Sequence, residues 1–159
     1  MAVEDDIHRT LHAYCRLLDE RDIDELMRRV YLPDAVDDRK RGTPLRGHDE
    51  IRGYFASAFE HVASTAHLLS NIDVEVSQDG TRATSYSRVT AYHWMYGGEP
   101  VREADFVVLG SYDDELVRTD DGWRIARRVV GALGQAGLSQ GTLPPVFAGF
   151  GGAQAASAT

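Results

Sequence analysis

The sequence predicts an α+β domain in which three N-terminal helices sit on one face of a strongly curved, mostly antiparallel sheet. Three observations predict it. Up to His61 the apolar residues recur at spacings of three and four, and after His61 the period changes to two. Two tight-turn phrases, Gln78-Asp79-Gly80 and Asp120-Asp121-Gly122, separate long strand-like runs. At 159 residues the chain is long enough for one domain with a real core and too short for two.

The elements follow in order. Val3, Ile7, Leu11, Tyr14 and Leu18 form a helical stripe that ends at Asp19. A second, short helix is expected over Asp22 to Val30, with Asp22 as N-cap, Glu25 as its capping-box partner, and Pro33 as its stop. The charged stretch from Asp34 to Leu45 reads as a short hairpin or a loop. A third helix opens at Gly47, with Ile51, Tyr54, Phe55, Ala58, Phe59 and Val62 as its apolar face. Then His67, Leu69, Asn71, Asp73 and Glu75 alternate with Leu68, Ser70, Ile72, Val74 and Val76, a strand. Further strands are expected from Thr81 to about Tyr96, from Val101 to Arg118, and from Trp123 to Val130. Long strands that twist strongly curl into a cone around the helices. The domain is assigned to residues 1–135. Residues 136–159 form a Gly-, Ala- and Ser-rich extension, expected to be disordered from Gly151 or to lap over a pocket mouth through Leu143 to Phe147 and Phe150.

Bulk properties narrow the function. A net charge of −8 argues against nucleic-acid binding, which needs clustered Lys and Arg. One cysteine, Cys15, excludes an intrachain disulfide framework and a cysteine-rich zinc site; on a helix near the core it is expected to be inert. The first residues carry no basic and no apolar signal region, and no apolar run approaches a membrane span, so a cytoplasmic protein without membrane contact is expected.

Asp19 and His67 carry the chemical reading. A helix carboxylate that orients a strand imidazole makes a general base near neutral pH without metal or cofactor. The alternative is a buried structural Asp–His hydrogen bond. Tyr14, five residues before Asp19, lies about 140° away around a helix, so it reaches the same pocket only if the helix end unwinds. There it would donate to a leaving hydroxyl or a carbonyl oxygen; otherwise it is a core tyrosine. Arg118, at a strand end, would stabilise a developing anion or be solvated, as Arg127 and Arg128 are expected to be. Asn71, four residues after His67, falls on the same strand face, where it would bind substrate; the alternative, commoner for Asn near a strand end, is a turn or edge residue. Trp94, Tyr92, Tyr96, Phe55, Phe59 and Met27 are candidates for an apolar pocket wall suited to flat ligands. His8, His12, His48 and His61 read as surface or helix-end residues. His8 and His12 are one turn apart but lack a third ligand, so no metal is expected. Asp37-Asp38 and Asp113-Asp114-Glu115 read as solvated loops.

Four phrases, in this order, carry a family resemblance: Tyr14-x4-Asp19-x-Arg21-Asp22, Gly47-His48-Asp49-Glu50-Ile51, Thr65-x-His67-x3-Asn71, and Tyr112-x5-Arg118-x3-Gly122-Trp123-Arg124. From about residue 3 to residue 131 the chain resembles the SnoaL-like branch of the NTF2-like superfamily. Within it, the chain is similar to the group holding scytalone dehydratase, lindane dehydrochlorinase and bile-acid 7α-dehydratase. The resemblance implies the NTF2-like cone and a cofactor-free catalytic dyad of Asp19 and His67. It matches Tyr14 to a catalytic tyrosine of the bile-acid enzyme, whereas the dehydrochlorinase has a lysine there. It matches Arg118 to an arginine before the Gly-Trp turn, and His93 to a second histidine of scytalone dehydratase. Arg88, Asp105 and Arg118 do not reproduce the epoxide-hydrolase arrangement of the superfamily. Asp105 is the candidate for a ketosteroid-isomerase-type acid.

The expected function is a cofactor-independent lyase, a dehydratase acting on a cyclic or polycyclic apolar small molecule. An isomerase or aldol-type cyclase using the same dyad, or a non-catalytic small-molecule binder, are the alternatives. The resemblance also implies a homo-oligomer, trimer or dimer.

Overall fold

A computed structural model describes residues 2–40, 42–97 and 102–136. Its order is α1 (Ala2–Asp19), α2 (Ile23–Val30), β1 (Tyr31–Asp38), β2 (Leu45–Arg46), α3 (Gly47–His61), β3 (Val62–Val76), β4 (Arg82–Met95), β5 (Phe106–Thr119) and β6 (Gly122–Ala136). The six strands form one mixed sheet in the order β2-β1-β6-β5-β4-β3. Among the described residues only β1 and β6 pair in parallel; the other neighbours are antiparallel. The fold is the expected α+β architecture.

The helices follow their patterns. Ile7, Leu11, Tyr14 and Leu18 of α1 are buried, and so are Ile51, Phe55 and Ala58 of α3. Asp22 caps α2 by accepting the Glu25 amide at 3.1 Å. The reciprocal half of the box is replaced, because the Glu25 carboxylate is taken by Arg28. Pro33 is not the stop: Tyr31 is already extended, and Pro33 lies inside β1. The proline is tolerated there because the β1–β6 ladder is interrupted between Tyr31 and Val36. The stretch after it is a hairpin, with Val36 paired to Arg46 and Asp37 to Leu45.

The elements depart from the expected bounds at three places. Val62, expected on the third helix, opens β3. β5 begins at Phe106, with residues 102–105, expected in it, lying before it, and β6 runs six residues past Val130 to Ala136. The C-terminal segment expected to be disordered or to cover a pocket lies outside the described residues. Among the described residues, no helix is long and apolar enough to cross a membrane.

Bulges decide which side chains face the helices. Between Ser70 and Asp73 the β3–β4 register slips, and Asn71 has φ +50. A one-residue slip exchanges the two faces of a strand. His67 and Leu69 therefore point inward before the bulge, and Ile72, Val74 and Val76 after it. A second slip, between Glu115 and Leu116, sets Ile125 and Arg128 on the inner face of β6 with Ala126 as the extra residue.

Candidate active site

The candidate site forms where the end of α1 meets β3. Asp19 is the last helical residue, and Arg21 follows in the left-handed region at φ +61. The Asp22 amide donates to the Leu17 carbonyl at 2.9 Å and closes the helix. Arg21 then donates to the Val62 carbonyl and, at 3.1 Å, to the Tyr96 hydroxyl, with its guanidinium 4.9 Å from the Phe59 ring centre. This clamp ties the helix end to the start of β3 and so fixes where Asp19 can reach.

Asp19 grips one residue twice. Its Oδ1 accepts the His67 ring Nδ1 at 2.6 Å and the Thr65 hydroxyl at 2.8 Å, and its Oδ2 accepts the His67 amide at 2.9 Å. Burial works against the ionised carboxylate, but these hydrogen bonds together hold Asp19 below the usual carboxylate range. An ionised partner requires the proton on Nδ1, so Nε2 of the neutral ring is the basic nitrogen. The His67 side chain is 8% exposed and that of Asp19 25%.

His67 borders a hollow of about 40 Å³. Tyr14, Tyr54, Tyr112, Arg39 and His93 supply its polar lining, and Leu18, Val89, Ala91, Val108, Gly110 and Val130 its apolar lining. His93 stacks on Phe106 at 4.4 Å, and its Nδ1 donates to the Ala91 carbonyl at 3.0 Å. Burial, and then the charge of His67, push its pKa down to about 3, so His93 is neutral. Larger but shallower clefts of about 340 Å³ and 380 Å³ lie beside Asp73 and Glu115 and beside Val76 and Arg82, away from the dyad.

Beneath the hollow runs a buried polar rung. Asp37, Arg128, Asp114 and Ser85 are successive register partners across β1, β6, β5 and β4. Arg128 donates to both oxygens of Asp114 at 2.7 Å, and both side chains are fully buried. The guanidinium carbon lies 4.0 Å from the ring centres of both Tyr14 and Tyr112. Burial pushes the Asp114 carboxyl above its ordinary range, and Arg128 opposes that. Asp37 accepts the Tyr31 hydroxyl at 2.9 Å and Arg39 Nη2 at 3.0 Å. Arg39 Nη2 also lies 3.4 Å from the Tyr14 oxygen.

The structure brings Asp19, His67, Tyr14 and His93 to one place. Tyr14 reaches it without unwinding, because α1 stays helical through Asp19 and the hollow lies under its last two turns. Other candidates lie elsewhere. Arg118 is exposed at the far hairpin, its amide donating to the Thr81 carbonyl. Asn71 is exposed, turned out by the β3 bulge. Tyr92 and Trp94 stack on each other at 6.3 Å on the strand face opposite His93, and the Trp94 indole donates to the Arg102 carbonyl. Phe55 is core packing behind the hollow, its ring 6.4 Å from Tyr14. Asp105 precedes β5, where it accepts the Met95 amide and pairs with Arg102.

Several expectations of solvated charge are overturned. Asp37, Asp38, Asp114 and Arg128 are all buried in strands. Sequence reasoning missed Arg39, Tyr54, Tyr112 and Arg128. The available signal was the shared parity of Tyr112 and Asp114 with the apolar Leu116 on one strand face. Cys15 is buried as expected, and burial pushes its thiol up to about 12.

The SnoaL-like domain family matches residues 1–129. The uncharacterized protein Rv2910c of Mycobacterium tuberculosis is 35% identical over 125 residues, which cover 78% of this chain and 81% of that protein. A crystal structure from Novosphingobium aromaticivorans, provisionally named a scytalone dehydratase, superposes with a TM-score of 0.74 at 23% identity, covering 84% of this chain and 86% of the other. A hexachlorocyclohexane dehydrochlorinase (LinA) of type 2 superposes with a TM-score of 0.73 at 15% identity, covering 91% and 95%. These two likenesses concern the fold. By the family match and the mycobacterial relative together, the chain belongs to the SnoaL-like domain family, with the cone fold of the NTF2-like superfamily.

Proposed function

We propose that the protein is a cofactor-independent lyase, a dehydratase acting on a cyclic apolar small molecule. His67 Nε2 removes a proton from carbon, and a hydroxyl leaves from the neighbouring carbon as water. The observation that carries this reading is the double grip of Asp19 on His67 at the wall of a hollow. It fixes the tautomer and the ring orientation, and it stabilises the imidazolium formed on proton removal. Tyr14 is the donor to the departing or activating oxygen. Two structural neighbours bear the names of eliminating enzymes, a dehydratase and a dehydrochlorinase, in keeping with this chemistry.

At about 40 Å³ the hollow has room for a few waters or the reacting edge of a ligand. The test is a panel of hydroxylated cyclic carbonyl compounds read by mass spectrometry. Loss of one water, abolished in His67→Ala with the fold intact, is the expected result. A product of unchanged mass identifies the isomerase alternative. Binding without turnover, indifferent to pH, identifies a non-catalytic binder.

A further inference from the structure

We propose that Arg39 is a further catalytic residue: with the Tyr14 hydroxyl, it binds a carbonyl oxygen of the substrate across the hollow from His67 and stabilises the enolate formed there. The proposal rests on the reading of the hollow as an active site.

Arg39 follows the last residue of β1, and its side chain folds back inward until only 10% remains exposed. Its guanidinium carbon lies 4.2 Å from the Tyr54 ring centre and 4.9 Å from that of Phe55, a shelf that orients the planar fork. Of its five N–H donors, those on Nη2 meet Asp37 Oδ2 and the Tyr14 oxygen. Nε is buried and has no partner among the described residues. A buried arginine with surplus donors at the edge of a hollow is poised for an incoming acceptor. Because the Tyr14 oxygen accepts from Arg39, the Tyr14 proton remains available to donate to that same acceptor.

Arg128 is the rival for this role and fits it less well. Its Nη1 also lacks a partner among the described residues, but both oxygens of Asp114 bind the rest of its fork, it is fully buried between two tyrosine rings, and it does not line the hollow.

Charge selects the class of acceptor. Asp37 already balances Arg39, and Asp114 balances Arg128. A substrate carboxylate would add an uncompensated negative charge from the moment it bound. A carbonyl oxygen arrives neutral and becomes negative only as the proton leaves, so the donors bind the transition state more strongly than the ground state. The step balances without a redox partner. His67 Nε2 takes the proton beside the carbonyl, and the C–H electron pair forms the enolate. When the carbonyl re-forms, the β-hydroxyl leaves and takes the proton from the imidazolium as water, which regenerates the base.

The probe is 4-nitrophenol, whose ionised form has its own absorbance. Bound to the wild type, it is expected to ionise at a pH lower than in water by about one unit, a tenfold preference for the anion. In Arg39→Met the shift should vanish, and in Arg39→Lys part of it should remain. Arg39→Met leaves Asp37 buried without its cation, so the charge-balanced Asp37→Asn/Arg39→Met variant provides the same readout if the single variant does not fold. The proposal is overturned if the wild type does not bind the probe, if the bound probe ionises as in water, or if the Arg39 variants match the wild type. An intact shift in a protein that eliminates no water overturns the lyase reading alone.

Discussion

The Asp19 carboxylate binds the ring and the backbone of His67 at once, Oδ1 to Nδ1 at 2.6 Å and Oδ2 to the amide at 2.9 Å. The backbone bond locates the strand, and the ring bond selects the tautomer. Asp19→Asn keeps the size but supplies an amide where a charged acceptor stood. Turnover should fall by about 10²–10⁴-fold in kcat, as for other carboxylate-oriented histidines. A variant within a few-fold of the wild type would show that the pair is structural.

The same carboxylate sets an acid limit. Its folded pKa lies below its unfolded one, so its contribution to stability is complete above the unfolded value, about 3.9, and is lost as pH falls through the folded value. Urea midpoints of wild type and Asp19→Asn should differ at neutral pH and converge on acidification below about pH 4. A gap that stays constant would place the effect elsewhere.

His93 acts in the same direction over a higher pH range. Burial, and then the charge of His67, lower its pKa to about 3, against about 6.5 in an unfolded chain. Between those values the unfolded state binds more protons, so this residue makes stability fall as the pH is lowered from about 6.5. The slope approaches about 1.4 kcal/mol per pH unit inside the window. His93→Phe should flatten the dependence between neutral pH and about pH 4. In NMR, the wild-type ring should show no titration until the acid limb is reached.

How far the sequence was legible depends on where the sheet breaks its own alternation. The stripe Ile7, Leu11, Tyr14 and Leu18 and the turns at Gly80 and Gly122 are local, and they read correctly. Asp19 could be singled out because a helix end is also a local signal, and the family resemblance carried Asp19 and His67 together. The substrate-binding reading of Asn71 failed because a bulge with φ +50 exchanges the faces of β3; asparagine tolerates that backbone, but its identity alone does not place a slip there. Arg128 failed for the same reason: strict alternation from Trp123 and Ile125 turns Arg127 inward, and the extra residue Ala126 reverses it. Asp114 pairs with Arg128 across two strands, a relation that spacing along one chain does not contain.

That buried pair gives a stability prediction. Arg128→Met leaves the Asp114 carboxylate enclosed without its cation and should cost about 3–5 kcal/mol. Adding Asp114→Leu removes the stranded charge, so the double variant should be more stable than Arg128→Met alone. Arg118→Ala, at an exposed position, should stay within about 0.5 kcal/mol of the wild type. Urea denaturation of the four proteins reads all three. Equal losses for Arg118→Ala and Arg128→Met would contradict the placement of the two arginines.

Gly110 borders the hollow where β5 and β6 slip past each other, between Leu109 and Gly110. A Cβ there would meet the Gly131 carbonyl oxygen at 2.6 Å and Val89 Cγ1 at 3.4 Å. The first contact is with backbone and cannot be relieved by a rotamer change, so the strands must part. Gly110→Ala should therefore destabilise by about 1–3 kcal/mol through overpacking. It should also move the hollow's wall, which Val108 and Tyr112 share on the same strand face. The signature is a lower urea midpoint together with weaker binding of 4-nitrophenol. Gly134→Ala, on the next strand with open space around its Cβ, is the control and should leave both unchanged.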